Sequence, residues 1–422
     1  MTKEYVILKS LDFKENEILT LEKVRESEAQ LKRLGLFSSI NISIIPSPNP
    51  RRIVTVSVSE RYPGTLTFGA GVSNELELTF RGYTGLAYRN LFGTARAIQG
   101  RFQLKSNIKV TEFLDYKANA SYLEPFLFGS KTKGKINVTN SQELTNTSIT
   151  NLEAIETSAL VLSLERDLTR FLKLSWKLWG LEINKKFEVD DSGNKSNEEH
   201  RRIAEIGPTI ELDYRDNPFV PKHGTYTRLN IDYSSPDLGS TEGDEIQPGA
   251  KEVKYIKASL QFNQYMPFFK NEDVTFAYSL RTGYLVNKGK EGFSAVPQEK
   301  MFFLGGLTTI RGFENNSIPN PDALIEPGDV FPSLLTESTY YLVKTELRIP
   351  VYKNFGTALF YDGGGVKVKG KDFDDEYRDA IGLSLQILTP IGAINLGYGY
   401  KLDRNFKNNE SEGALFFSIG DF

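Results

Sequence analysis

Thiol and imidazole groups, which carry much nucleophilic and metal chemistry, are scarce in this sequence. The 422 residues include no cysteine and only two histidines, His200 and His223. Without cysteine there is no disulfide, no thiol nucleophile and no cysteine-based metal site. Neither histidine lies in a serine–aspartate arrangement that would indicate a hydrolase. The sequence therefore excludes cysteine chemistry and gives no support for a hydrolase.

Two segments carry partial signatures of ligand sites. Gly129 to Lys135 fits most of a phosphate-binding loop, but Ile136 stands where serine or threonine is required and predicted strands flank it. We interpret it as a basic hairpin. The acidic residues from Asp372 to Glu376 have the chemistry of calcium ligands, but they are more simply a solvated loop. The net charge of −3 gives no reason to expect a nucleic acid partner.

Most of the chain shows apolar and polar residues in alternation. In one segment Val274, Phe276, Tyr278 and Leu280 fall on one side, and the alternate residues Thr275, Ala277, Ser279 and Arg281 fall on the other. Such alternation predicts strands with one apolar and one polar face. A closed barrel lets long strands of this kind face lipid outside and water inside without an exposed edge. The 28 Phe and 20 Tyr suit the aromatic girdles of a membrane barrel.

Residues 63–422 are therefore predicted to form a transmembrane β-barrel of about sixteen antiparallel strands, an even number as in bacterial single-chain barrels. The predicted spans are 65–73, 76–90, 94–106, 110–123, 133–144, 152–166, 171–186, 202–214, 224–235, 252–266, 273–287, 339–350, 355–368, 377–389, 392–402 and 413–422. Short connections alternate with long ones, predicted at 187–201, 236–251, 288–338 and 403–412. Long loops of such barrels face outward, and the length of 288–338 indicates a functional loop.

Residues 1–62 follow a small α+β pattern instead. Thr20 suits the N-cap of a helix that ends near Leu34, and Gly35 suits its C-terminal cap. Two strands follow, separated by a turn at Pro46 to Pro50. A unit of this size has little core of its own. Its start lacks the apolar core of a signal peptide, so we expect an N-terminus from which preceding residues have been removed.

Loop 288–338 contains the segment Ile310, Arg311, Gly312 and Phe313, which resembles the sixth-loop [V/I]-R-G-[F/Y] motif of the BamA/TamA-type outer-membrane assembly superfamily. Further segments resemble this family: a POTRA helix at 27–37, a turn at 90–93, a turn at 213–224 that includes Arg215, Asp216, Asn217 and Pro218, a hairpin at 389–392, and a terminal β-signal ending at Phe422. The resemblance implies a sixteen-stranded barrel preceded by a POTRA domain. That domain would lack its first strand, since Tyr5 to Leu11 matches its first helix.

Strand parity suggests what Arg311 could contact. Lys344, Glu346 and Arg348 share the lumen face of one predicted strand, and Phe360 and Asp362 share that of the next. The resemblance places Arg311 inside the barrel against acidic residues of these strands, which Asp362 and Glu346 match. An enclosed guanidinium needs carboxylate partners because an unpaired enclosed charge is costly. The alternative is that both carboxylates are hydrated lumen residues.

The seam between the first and last strands is predicted to be weak. The first strand is short and contains Gly69 and Gly71, which pack little, and Gly420 interrupts the last strand before Phe422. Unpaired backbone groups at such a seam can accept an incoming strand by β-augmentation.

The resemblance implies an assembly factor, not an enzyme, that inserts nascent outer-membrane β-barrel proteins through this seam. It would lie in the bacterial outer membrane with its POTRA domain in the periplasm. The expected partners are nascent barrels, outer-membrane lipid, and accessory lipoproteins or periplasmic chaperones, with no nucleic acid and no cofactor. A two-partner secretion translocator is the alternative within the family. A diffusion porin is the alternative outside it, and it would need neither a POTRA domain nor the Arg311 loop.

Overall fold

The computed structural model shows a small α+β unit followed by a barrel. The structure describes residues 1–45, 51–73, 79–107, 113–145, 152–190, 194–218, 220–242, 252–268, 271–325, 333–372, 377–389, 392–404 and 410–419. No helix within these ranges is long and apolar enough to cross a membrane.

The small unit contains two helices and a two-stranded antiparallel sheet. Its elements are α1 (Glu4–Ser10), α2 (Leu21–Arg33), β1 (Phe37–Ile45) and β2 (Ile53–Glu60). Thr20 caps α2 as predicted, because its hydroxyl accepts a hydrogen bond of 3.3 Å from the Lys23 N–H. The predicted turn at 46–50 lies outside the described residues.

Sixteen long antiparallel strands form a closed sheet within the described ranges, which confirms the predicted fold class. With three two-residue strands, the elements are β3 (Gly64–Ser73), β4 (Thr79–Leu91), β5 (Arg96–Asn107), β6 (Leu114–Glu124), β7 (Lys133–Thr145), β8 (Leu152–Asp167), β9 (Leu172–Val189), β10 (Lys195–Asp213), β11 (Gly224–Ser234), β12 (Thr241–Glu242), β13 (Tyr255–Phe268), β14 (Asn271–Asn287), β15 (Val296–Pro297), β16 (Ser333–Leu334), β17 (Glu337–Tyr352), β18 (Phe355–Val368), β19 (Arg378–Thr389), β20 (Gly392–Lys401) and β21 (Gly413–Ile419). Each long strand pairs with the next, and β21 returns to β3.

The outer face of the sheet is apolar, as the alternation predicts. On β19, for example, Ile381, Leu383 and Leu385 are 43–49% exposed, whereas Ala380 is buried inside. Apolar side chains on the outside of a barrel are stable in lipid, so this pattern fits a membrane-spanning sheet.

One predicted loop is wrong. Residues 187–201 were expected to form a long connection, but β9 continues to Val189 and β10 already begins at Lys195. The segment 195–201 is rich in charged residues, so it shows no apolar alternation. Backbone pairing extends β10 through this polar segment, whereas Phe187 and Val189 of β9 pack in a buried apolar cluster. Hydrophobic periodicity therefore did not reveal the extension of β10.

The small unit contacts one end of the barrel, here called the proximal end. Its buried cluster, which includes Val6 and Leu31, also contains Ala95 from the β4–β5 turn, and Phe126 from the β6–β7 turn packs against it. Lys131 in the second turn donates hydrogen bonds to the Leu11 carbonyl at 3.0 Å and to Asp12 at 3.3 Å. The predicted basic hairpin therefore serves as a docking point for this unit.

The loop between β14 and β17 folds back into the lumen from the opposite, distal end. We call residues 288–336 the lumen loop. Its ends pair as β15 and β16, and its apolar side chains form a core with lumen-facing residues of the barrel wall. The loop contributes Val296, Met301, Leu304, Ile310, Phe313, Ile318, Leu324 and Leu334, and the wall contributes Ile203, Val253, Tyr255, Leu285, Leu342, Val366, Val368 and Ala380. Burial of these side chains holds the loop inside the barrel.

Candidate functional site: the lumen loop, the seam and the proximal turn

Arg311 lies at the tip of the lumen loop against β17 and β18. Its Nε and Nη2 donate to the two carboxylate oxygens of Asp362 at 2.6 and 2.7 Å, and its Nη1 donates to Glu346 at 2.7 Å. The Arg311 backbone N–H also donates to Asp362, at 3.1 Å. Asp362 is fully buried and Arg311 is 7% exposed. The structure thus brings together the three residues that parity and resemblance grouped.

Further lumen side chains complete this ionic site. The Arg311 guanidinium lies 3.6 Å from the ring centroid of Phe360, a cation–π contact. Lys344 lies 3.6 Å from Asp362 and donates a 2.6 Å hydrogen bond to the Thr309 carbonyl. Arg348 pairs with Glu346 at 2.8 Å. The enclosed charges are therefore paired, which is the condition for keeping them out of water.

The other motif residues fix the tip against neighbouring strands. Ile310 is fully buried in the loop core. Gly312 has a φ of +97°, and a Cβ there would lie 2.7 Å from the Gly399 carbonyl oxygen on β20. The Phe313 ring lies 4.9 Å from the cationic groups of both Arg378 and Lys401. The tip accordingly contacts β17 to β20, the wall on the β21 side of the seam.

The seam between β3 and β21 has one registered residue pair in the described part of the chain, Ser418 with Ser73. By contrast, β3 pairs with β4 from Gly64 to Ser73, and β21 pairs with β20 from Gly413 to Ile419. Within the described residues, each seam strand is thus paired along its length on one side and at one position to the other, and the facing segments 74–78 and 420–422 lie outside the described residues. Gly420 and Phe422 lie outside the described residues.

The two seam glycines of β3 are described. Gly69 faces the ring of Tyr83 on β4, and an added Cβ there would overlap that ring. Gly71 is buried and pairs with Arg81. The absence of a side chain at Gly69 therefore lets the Tyr83 ring lie against the β3 backbone. This role is additional to the weak packing expected of glycine from the sequence.

The proximal turn between β10 and β11 is held by its own polar side chains. Arg215 pairs with Asp213 at 2.7 Å and donates to the Pro218 carbonyl at 3.1 Å. Asp216 accepts backbone hydrogen bonds from Asn217 and from two residues across the turn at 2.9–3.2 Å. Burial acts to raise the pKa of Asp216, but these donors hold that pKa below its usual range. These contacts hold the motif as a turn at the proximal end.

Sequence reasoning missed several residues that hold the lumen loop. Arg378 and Lys401 contact Phe313, and Glu299 and Lys300 form ion pairs with a different part of the wall. The sequence did contain one signal of an occupied lumen. Ile203 and other apolar wall residues face the lumen, and a water-filled lumen would not favour apolar side chains there.

The described residues contain no group of three or more His, Asp or Glu side chains that could hold a metal ion. Of the acidic segment 372–376, Asp372 is described and the rest lies outside the described residues. The site's chemistry is ion pairing and backbone hydrogen bonding. It can hold a loop in place and offer a strand edge.

Comparisons with known proteins agree with this architecture. A sequence profile of the Omp85 superfamily domain matches residues 90–422, and a POTRA profile, described as a surface antigen variable number repeat, matches residues 1–61. The outer membrane protein assembly factor BamA of Nitratidesulfovibrio vulgaris is 21% identical over 443 aligned residues, which cover 100% of this chain and 50% of that protein. The chain thus spans about half the length of this relative.

Solved structures share the fold. BamA from Haemophilus ducreyi lacking POTRA domains 1–3 superposes with a TM-score of 0.70 at 16% identity, covering 99% of this chain and 81% of that one. CdiB from Escherichia coli superposes with a TM-score of 0.66 at 14% identity, covering 99% and 73%. With most of its barrel matched by the superfamily profile, the chain belongs to the Omp85 superfamily.

Proposed function

We propose that this chain is an outer-membrane assembly factor that inserts nascent β-barrel proteins through the seam between β3 and β21. It lies in the bacterial outer membrane with the small unit on the periplasmic side. Its partners are nascent barrels and the surrounding lipid, and accessory lipoproteins or chaperones would bind from the periplasm. The sequence relationship to the assembly factor BamA supports this proposal.

The observation that carries the proposal is the single residue pair that closes the described part of the barrel. Backbone groups left unpaired in lipid cost several kcal/mol each, so an edge there has a strong tendency to pair. A nascent strand that pairs with such an edge supplies donors and acceptors to it, and its apolar face enters lipid as it pairs. Assembly of this kind needs no covalent step.

The lumen loop argues against a diffusion porin. It occupies the lumen with a core of buried apolar side chains and is fixed to the wall by the Arg311 ion pairs. A water-filled channel, by contrast, needs a polar and open interior.

A two-partner secretion translocator is the second candidate, favoured by the similarity of the fold to CdiB. A translocator passes an extended chain through its lumen, so the lumen loop would have to leave. An insertase releases its client sideways through the seam. The route taken by the client therefore separates the two functions.

Reconstitution tests the proposal. The purified chain is placed in phospholipid vesicles and mixed with a urea-denatured small barrel protein, whose folding is followed as protease resistance. We expect folding to be faster than in protein-free vesicles and in vesicles that contain a diffusion porin. Equal rates in all three would contradict an insertase. Accumulation of an extended, soluble polypeptide inside the vesicles would instead indicate a translocator.

A further inference from the structure

A second ionic cluster holds the lumen loop on a different wall of the barrel. Lys300 of the loop pairs with Glu182 of β9 at 2.9 Å and with Glu205 of β10 at 3.4 Å. The adjacent Glu299 pairs with Arg201 of β10 at 3.1 Å. Two consecutive loop residues of opposite charge thus each meet a complementary partner on β9 or β10.

These ion pairs are largely removed from solvent. The side chain of Lys300 is 12% exposed, Glu205 is 8% exposed and Arg201 is 2% exposed. Enclosed charges lose water and depend on partners, so removing one of them leaves the others uncompensated. The cluster is therefore more than a pair of surface contacts.

The same position also fixes the loop backbone. Lys257 of β13 donates a 2.7 Å hydrogen bond to the carbonyl of Lys300, and its ammonium group lies 4.6 Å from the ring centroid of Phe302. The main chain of the loop is thus tied to β13 where its side chains are tied to β9 and β10.

The two ionic clusters lie on separate parts of the wall. The Arg311 cluster is on β17 and β18, and β11, β13 and β14 separate it from β10 in the barrel order. A cavity of about 700 Å³ adjoins the loop and is lined by wall residues of β6 to β9, β14 and β17. From the loop, Gln298, Glu299 and residues 301–304 line it, so packing on that side contributes less to holding this segment.

From this arrangement we propose that Glu299 and Lys300 are positioning residues. They form a second anchor that holds the first limb of the lumen loop on β9 and β10, independently of Arg311. The loop then spans the lumen between the Arg311 site and the Glu299–Lys300 site. The Glu299–Lys300 site fixes the start of the segment that leads to the Arg311 tip. The consequence for client insertion rests on the proposed function, but the anchor itself does not.

A single cysteine on β16, the strand that pairs with the first limb, reports on whether this limb is held in place. The chain contains no cysteine, so Ser333→Cys gives one reactive thiol. Ser333 is 3% exposed, and its hydroxyl has no hydrogen-bond partner among the described residues. Its strand β16 pairs with β15, which directly precedes residues 298–300. The substitution therefore nearly preserves the side-chain volume and breaks no hydrogen bond among the described residues. A maleimide reaches the thiol only when the first limb moves away from the wall.

In this background we compare Lys300→Met, Lys300→Arg and Lys177→Met in detergent micelles. Lys177 is the matched control, since it pairs with the same Glu205, at 2.8 Å, but belongs to the wall. We expect Lys300→Met to raise the labelling rate about tenfold, as a loss of 1.4 kcal/mol would. We expect Lys300→Arg, Lys177→Met and Arg311→Ala to label as slowly as the parent.

An unchanged rate in Lys300→Met would overturn the anchor, and so would an equal rise in Lys177→Met, which would indicate general loosening of the wall. Circular dichroism checks that each barrel is folded. If Lys300→Met does not fold, Glu299→Gln replaces it with the same expected direction, and an unchanged rate there overturns the anchor.

Client insertion is then measured on the same variants. Slower insertion with Lys300→Met, restored in Lys300→Arg, supports the positioning role, whereas a released loop with normal insertion overturns it. Labelling needs no client, so failure of the parent to insert any client would refute the proposed function and leave the anchor standing.

Discussion

Arg311 illustrates how one residue type is selected by geometry. Its planar guanidinium donates to both oxygens of Asp362 and to Glu346 while stacking on Phe360. A lysine carries the same charge but lacks the planar set of N–H donors, so it cannot make these contacts at the same time. Parity along β17 and β18, together with the family resemblance that places the loop arginine inside the barrel, suggested the carboxylates. The contacts of Phe313 with Arg378 and Lys401 were not predictable, because they depend on where the loop tip lies against β19 and β20.

The first prediction concerns this ion pair. Arg311→Ala leaves the buried Asp362 without its guanidinium, and removal of one partner of a buried pair costs about 3–5 kcal/mol. We expect the lower end, since Lys344 remains 3.6 Å from Asp362. The measurement is equilibrium unfolding in detergent micelles. Arg348→Ala is the control: it removes another partner of Glu346 but is 39% exposed, so its loss should be about 0–1 kcal/mol. Equal small losses would show that the Arg311 site does not hold the loop.

The second prediction concerns Gly312. Gly312→Ala adds a Cβ 2.7 Å from the Gly399 carbonyl oxygen and places alanine at a φ of +97°, so the tip must shift away from β20. Gly370→Ala is the matched control, because its φ of +83° gives similar backbone strain with no atom within 4 Å. Backbone strain of this kind costs about 1–3 kcal/mol. Unfolding measurements should show a larger loss for Gly312→Ala, and equal losses would mean that the contact with β20 is unimportant.

At the scale of elements, strand type and order followed from alternation but strand ends did not. Near a distal strand end, polar residues can occupy both faces so that the period-two signal disappears, as in residues 195–201 of β10. The lumen loop was located by its length and motif. Its fold was not predictable, because its core forms only with wall residues distant in sequence, such as Ile203 and Val366.

Hydrogen exchange tests the weakness of the seam. Alternate amides of β3 point toward β21, and in the described ranges Ser73 and Ser418 form the registered pair. We expect the β3 amides that point toward β21 to exchange rapidly in micelles. The alternate β3 amides, which are bonded to β4, should stay protected. The β13–β14 pair, registered from Tyr255–Asn287 to Phe268–Asn271, is the internal control. Equal protection at the seam and in this pair would mean that the seam is closed.

At the scale of the whole molecule, the small unit, the barrel and the lumen loop depend on one another. The small unit shares its core with Ala95 and Phe126 of the barrel turns, as expected for a unit with too little core of its own. The lumen loop ties β9, β10 and β13 to β17 through β20, so seven of the sixteen long strands are braced from within. The weak line that remains in the described sheet is the seam.

Locking that seam tests the central claim most directly. In this cysteine-free chain, Ser73→Cys with Ser418→Cys places thiols on the registered seam pair, and oxidation joins β3 to β21. Each single variant is the control for the substitutions themselves. We predict that the oxidised double variant loses client insertion in reconstituted vesicles and that reduction restores it, with the single variants active throughout. Full insertion by the locked barrel would contradict insertion through the seam.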